Sequence, residues 1–150
     1  MPKNMQIWKT KQTTHEGFPL FLRYPENVDF DLHKDSFPVL AVITHELAKV
    51  SPNGLPEPEY NDGLLNFDSD IRAAFERDQI GQTVLIETFA GKRKYYIYVA
   101  PEIRVDEKIA PISQRYPHER LSWSVHPDSE WNFIKSYAKE FFQKRKLGKG

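Results

Sequence analysis

The histidines are the first residues to consider for chemistry, because imidazole serves both as a metal ligand and as a general base near neutral pH. The five histidines are scattered, and no two have the HxH or HxxxH spacing that sets metal ligands side by side. A metal site would need the fold to bring His118 or His126 to a carboxylate such as Asp128. We therefore predict no metal ion and no cofactor, and we interpret the histidines as surface or strand-end residues.

Nucleophilic catalysis is the second chemistry to test. Neither the G-x-S-x-G elbow of serine hydrolases nor a phosphate-binding Walker A loop occurs in the sequence. The chain has no cysteine, which excludes thiolate nucleophiles, disulfides and iron–sulfur clusters. Ser124, His126 and Asp128 alternate along one stretch, but no neighbouring group offers an oxyanion hole. We therefore predict no catalytic residues.

Carboxylates are concentrated in and just before the first long predicted helix, over residues 57–78. Within that helix, Asp68 and Glu76 each stand four residues from Arg72, which is the spacing of ion pairs on a helix surface. A solvated face, with acidic residues near a helix N-terminus, explains this distribution without acid–base catalysis. We therefore interpret Asp68 and its acidic neighbours as surface residues.

The most unusual local sequence is the run Tyr-Tyr-Ile-Tyr at 95–98, in a predicted β-hairpin that turns at Ala90 and Gly91. In a strand, Tyr96 and Tyr98 share one face. One interpretation is that these rings stack on single-stranded RNA bases. The other is that they pack beneath the N-terminal hairpin or the C-terminal helix. A zero net charge gives phosphates little attraction, which favours the second interpretation.

A third interpretation places a small ligand, or an enzyme's substrate, in a pocket beside this hairpin. Thr88 and Arg93 flank the turn and would bound such a pocket. Trp123 and His126 come from a predicted strand at 119–126 that could converge on it. The candidate ligand-binding or partner-binding residues are therefore Thr88, Arg93, Tyr96, Tyr98, Trp123 and His126.

The elements that must position these residues follow from the hydrophobic periodicity. Strands are predicted at 6–11, 18–24, 39–48, 82–89, 92–100 and 119–126, and helices at 62–78, at 105–116 and from Asp128 or Ser129 onward. Residues 39–126 then have the order β-α-β-β-α-β of a ferredoxin-like core. We predict one α+β domain over 1–150, with its core at about 5–142 and a basic, frayed tail at 143–150.

This core implies an antiparallel sheet with helices on one face. The prediction adds an N-terminal β-hairpin and a C-terminal helix. The last helix is apolar enough to need a docking surface, because Trp131, Ile134, Ala138 and Phe141 recur at helical spacing. It either covers part of the sheet or docks on another chain.

Three motifs resemble those of a known family and occur in the family's order. They are a strand with Trp8 before Gly17-Phe18-Pro19, the hairpin from Thr88 through Arg93 into an aromatic strand, and Asp128-Ser129-Glu130-Trp131 at the last helix. Over about residues 7–142, the chain resembles the bacterial domain-of-unknown-function family 695. That family is grouped with the ribonuclease E inhibitor B-like proteins, so the resemblance implies a ferredoxin-like fold and no established activity.

The overall charge and hydropathy narrow the remaining function classes. The 150 residues have a net charge of zero, which argues against a dedicated nucleic-acid-binding domain. No apolar run approaches the ~20 residues of a membrane span, and the first residues lack the apolar core of a signal peptide. We therefore expect a cytoplasmic protein without membrane contact.

Charge is segregated along the chain, with an acidic segment at 26–35 and a basic C-terminal segment. Such polarity suits a protein partner, or a homodimer, better than it suits RNA. We predict a non-catalytic protein-interaction or regulatory module of unknown partner.

Overall fold

The computed structural model of the chain describes residues 7–142. The strands are β1 Trp8–His15, β2 Phe18–Pro25, β3 Val39–Glu46, β4 Gly81–Phe89, β5 Lys92–Val99 and β6 Arg120–Pro127. The helices are α1 Phe30–His33, α2 Pro58–Asp62, α3 Leu65–Glu76, α4 Val105–Arg115 and α5 Asn132–Tyr137, which continues as a π-helical turn, Ala138–Phe142. The predicted frayed tail, 143–150, lies outside the described residues.

The sheet is antiparallel and has six strands in the order β1-β2-β4-β5-β3-β6. Strands β3 to β6, together with α3 and α4, form the ferredoxin-like unit, and the β1–β2 hairpin extends the sheet beyond β4. The predicted α+β class and ferredoxin-like core are confirmed. Consequently β1 and β6 are the two edges of the sheet.

One face of the sheet is covered by α3 and α4. Phe67, Ile71 and Phe75 recur at helical spacing along α3, and all three are buried with Ile109 and Ile112 of α4. Pro111 lies inside α4 at an exposed position, and the helix runs through it without ending. We call this side of the sheet the helical face.

The other face is covered by the C-terminal helix of the same chain. Of the two predicted alternatives, the helix therefore covers part of its own sheet. Trp131 and Ile134 are buried there against Tyr96, Tyr98 and Leu40. Helices therefore lie on both faces, with the two core helices on one and the added helix on the other. We call this side the second face.

Two predicted helix starts are wrong. The helix predicted at 62–78 begins only at Leu65, as α3, because Asp62 ends a separate short helix, α2, whose last turn Gly63 closes. The N-cap of α3 is Leu64, which makes no side-chain hydrogen bond to the helix.

The last helix begins at Asn132 rather than beside Ser129. Asp128 nevertheless serves its first turn, because its carboxylate accepts the N–H groups of Asn132 and Phe133 at 2.9 and 3.0 Å. Within residues 7–142, no helix has the length and apolar character needed to cross a membrane.

Candidate functional site

A row of polar side chains crosses the helical face near one end of the sheet. Thr88 of β4, Arg93 of β5 and His45 of β3 are register partners on adjacent strands, and all three are buried. The segment that forms α2 closes this end of the face through Asn61 and Tyr60. We call these residues, together with Glu119, the polar cluster.

Arg93 is the cation of the polar cluster and is only 5% exposed. Its Nε–H donates to the Thr88 hydroxyl oxygen at 2.9 Å, and Nη2 donates to the Asn61 side-chain oxygen at 2.8 Å. Both acceptors are uncharged. Thr88 and Arg93, which flank the hairpin turn, are thus in direct contact with each other.

His45 is the second titratable group of the polar cluster and was not among the predicted site residues. Its Nε2 lies 2.8 Å from Oε1 of Glu119, and the Tyr60 hydroxyl donates to the same oxygen at 2.6 Å. The Tyr60 oxygen also accepts the Ala48 N–H at 2.9 Å. Glu119 therefore joins α2 to β3 at the start of β6.

Burial governs the proton affinities in this chain of hydrogen bonds. Burial lowers the pKa of His45, and the Glu119 hydrogen bond only partly opposes this effect. Burial also raises the pKa of Tyr60 to about 12, so its hydroxyl stays protonated and can donate to Glu119. A neutral His45 that donates through Nε2 leaves Nδ1 as a buried acceptor, and Nδ1 has no hydrogen-bond partner among residues 7–142.

Asp68 lies beside the polar cluster and corrects the prediction of a solvated acidic helix face. It is 7% exposed and accepts the Tyr95 hydroxyl at 2.8 Å. Its ion pair is with Arg23 of β2, at 3.4 Å, rather than with Arg72 four residues along the helix. Arg72 instead lies over the Trp8 ring, 4.9 Å from its centroid. The helix face at Asp68 is turned toward the sheet.

Tyr96 and Tyr98 lie on the second face, beneath the C-terminal helix. Tyr98 stacks on Trp131 and Tyr96 stacks on Phe133, with ring centroids 4.1 and 4.6 Å apart. Stacking on RNA bases needs exposed rings. The RNA alternative is therefore not supported at these tyrosines, because aromatic side chains of the same chain occupy that position.

Trp123 and His126 are also separated from Arg93. Trp123 pairs with Ile43 and so lies on the helical face, whereas His126 pairs with Leu40 of the second face. Both are exposed side chains of β6, and His126 Nε2 lies 2.9 Å from the Ser124 hydroxyl oxygen. The six predicted site residues therefore divide into the Thr88–Arg93 pair, the two covered tyrosines and two residues of the β6 edge.

Comparison with known proteins identifies the family. A family model described as "Family of unknown function (DUF695)" matches residues 6–137. The chain belongs to DUF695. No curated protein and no solved structure matches this chain.

A metal ion in this DUF695 chain would need several ligating side chains around one point. Among residues 7–142, no three His, Asp or Glu side chains are grouped as a metal ion would require. Asp128, considered above with His126, accepts the Tyr98 hydroxyl at 2.6 Å and two N–H groups of α5. Its oxygens thus serve the contact between sheet and helix.

Sequence analysis missed four residues of the polar cluster: His45, Tyr60, Asn61 and Glu119. Of these four, only His45 lies in a sequence pattern that indicates its burial. In β3, Ala41, Ile43 and His45 alternate on one face, so the pattern places the histidine ring on the core side. Tyr60, Asn61 and Glu119 offered no such pattern, because they meet the site from loops and a short helix far away in the sequence.

Proposed function

We propose that this DUF695 chain is a non-catalytic protein-interaction module of the cytoplasm that joins a second copy of itself through β6. The proposal rests on one observation: β6 is an eight-residue edge strand, and every residue from Ser122 to Pro127 is exposed. An edge strand presents unpaired backbone N–H and C=O groups with which another strand can pair. Trp123 and Val125, 41% and 53% exposed, add apolar surface along it.

The two edges of the sheet differ in how readily a strand of another chain can pair with them. The β1 edge carries Lys9 and Lys11, and charged side chains on an edge oppose pairing. After Arg120, β6 contains no lysine, arginine or carboxylate to the end of the strand. The β6 edge is therefore the one that favours association.

The hydrogen bonds inside the sheet determine which groups of β6 point outward. The Asp128 N–H donates to the Pro38 carbonyl at 2.9 Å. By alternation, the backbone N–H and C=O groups of the even-numbered residues of β6 point toward β3. The residues whose backbone groups point outward, away from β3, are therefore Leu121, Trp123, Val125 and Pro127. Proline at an outward edge position leaves no N–H unpaired, as is usual for sheet edges.

A second copy fits this edge through an antiparallel pairing centred on Ser124. A two-fold axis there sets Trp123 opposite Val125 of the second copy, and both residues have outward N–H and C=O groups. Side chains directly opposite each other share a face, so the indole ring meets a β-branched side chain. The same register sets Arg120 opposite the second copy's Asp128, which have opposite charges. This self-complementarity is why we assign a second copy, rather than another protein, to β6.

The test is a proline substitution that removes an outward N–H and no N–H directed at β3. We expect the unmodified chain to sediment as a dimer in analytical ultracentrifugation and V125P to sediment as a monomer. The matched control is Q12P, because Gln12 is an outward position of β1 by the same alternation. We expect Q12P to remain dimeric. A chain that is monomeric at every concentration, or a dimer that V125P leaves unchanged, would contradict the proposal.

We also propose a bacterial origin and a wider superfamily for this chain. A bacterial origin and a grouping with the ribonuclease E inhibitor B-like proteins follow from the sequence resemblance. The ferredoxin-like strand order β4-β5-β3-β6 supports the grouping. A regulatory role is compatible with a dimer whose assembly responds to conditions, and the ultracentrifugation series in different buffers would detect such a response.

A further inference from the structure

The charge of Arg93 is not balanced by the protein at contact distance. Its two hydrogen-bond partners, Thr88 and Asn61, are neutral, and it forms no ion pair with any described carboxylate. Burying a cation without an opposite charge is costly. Arg23, which is more exposed, has an ion pair with Asp68. The more deeply buried arginine is thus the one without an anion.

Two carboxylates in this region of the helical face are committed to other groups. Asp68 accepts Tyr95 and pairs with Arg23, and Glu119 accepts Tyr60 and contacts His45. Each is held by two partners. An ion pair between Arg93 and either of these two carboxylates would compete with the hydrogen bonds they already make.

Arg93, Thr88 and Asn61 keep hydrogen-bond donors that no described residue uses. The Nη1 group of Arg93 donates to no described residue and is not among the fully buried polar atoms. Thr88 accepts from Arg93, so its hydroxyl hydrogen remains available, and Asn61, which accepts through oxygen, keeps its amide hydrogens. A ligand that matches such a set carries only acceptors and a negative charge.

We infer that Arg93, Thr88 and Asn61 form a binding site for a small oxyanion, either a carboxylate or a phosphate group. The guanidinium is held in place by two hydrogen bonds before any ligand arrives, which lowers the entropic cost of binding. Guanidinium groups bind both kinds of oxyanion through paired N–H donors. None of these residues belongs to β6, so this site does not depend on the proposed dimer.

The direct test is a titration of the chain with sodium phosphate and, separately, with sodium acetate, at constant ionic strength maintained with chloride. The readout is the NMR signal of the Arg93 Nε–H, together with the His45 ring signals. We expect a saturable shift with at least one of the two anions. Which anion saturates at lower concentration tells a phosphate site from a carboxylate site. No saturable shift with either anion would overturn the inference.

The matching variant is N61D, which places a carboxylate oxygen 2.8 Å from Arg93 with almost no change of shape. It supplies the missing anion from within the chain, so we expect anion affinity to fall by about tenfold or more and the unliganded chain to melt at a higher temperature. The control is N53D, which adds the same charge at an exposed loop residue and should bind as the unmodified chain does. Equal anion binding by N61D and the unmodified chain would overturn the inference.

Discussion

Trp131 stacks face to face on Tyr98, with ring centroids 4.1 Å apart and planes 11° from parallel. The indole N–H donates to the Phe37 carbonyl at 2.8 Å, and the Tyr98 hydroxyl donates to Asp128 at 2.6 Å. One aromatic pair thus joins β5, the end of β6 and the start of α5. This contact explains why the C-terminal helix closes the second face of its own chain.

Replacing Trp131 tests how much stability that contact carries. Because Trp131 is fully buried, we expect W131A to lower the free energy of unfolding by about 3–5 kcal/mol. The matched control is W123A, which removes the same side chain from an exposed position and should change the stability of the monomer little. Urea unfolding followed by circular dichroism, in protein dilute enough for the unmodified chain to be a monomer, measures both. Similar losses in the two variants would contradict the assignment of Trp131 to the core.

Asp128 should make the chain sensitive to acid. Partial burial raises its pKa, but hydrogen bonds from Tyr98 and from the N–H groups of Phe133 and Asn132 outweigh burial and hold the pKa below its usual value. A carboxyl group with a lowered folded pKa stabilises the fold above its unfolded pKa of ~3.9, and this stability is lost as the pH falls through the folded value.

The variant D128N keeps the shape of Asp128 and removes its charge. We expect a loss of about 1–2 kcal/mol at neutral pH, because the first turn of α5 loses a charged acceptor. Its loss of stability below about pH 4 should be shallower than that of the unmodified chain. Urea unfolding over a series of acidic pH values measures both quantities. An unchanged acid dependence in D128N would show that Asp128 is not the group responsible.

His45 should produce a second pH dependence, nearer to neutral pH. Burial lowers its folded pKa, so the unfolded chain binds the proton more tightly. The stability from neutral His45 is therefore complete above the unfolded pKa of ~6.5 and decreases as the pH falls below it.

The variant H45Q retains an N–H group able to donate to Glu119 and cannot take up a proton in this range. We expect the difference in unfolding free energy between about pH 7.5 and pH 5.5 to be smaller in H45Q than in the unmodified chain. Comparing these two differences removes the contribution of the other histidines. An equal difference in both chains would contradict the buried, neutral state of His45.

The fold was predictable where local signals are strong. Alternation predicted β2, β3 and the β4–β5 hairpin, whose turn at Ala90 and Gly91 has positive φ at both residues. The start of α4 at Val105 was predicted, but the start of α3 was not, since a short helix with Pro58 at its first position and a tertiary anchor at Tyr60 precedes it. Here tertiary contacts override periodicity.

The candidate site was less predictable than the fold. Arg93 and Thr88 were predicted because they flank a recognisable turn. The burial of Asp68 could not be inferred from its helix alone, since it depends on Arg23 and Tyr95 from two different strands. Leu121, Trp123 and Val125 do share one face of β6, as alternation predicts, yet two of them are exposed because β6 is an edge strand.

Hydrogen exchange tests the central claim, pairing through β6, most directly. The outward amides of Trp123 and Val125 should exchange rapidly in dilute protein and slowly in concentrated protein, since pairing with a second copy protects them. The inward amides of Ser122 and Ser124, which face β3, should be protected at both concentrations. Rapid exchange at Trp123 and Val125 at every concentration would contradict the account.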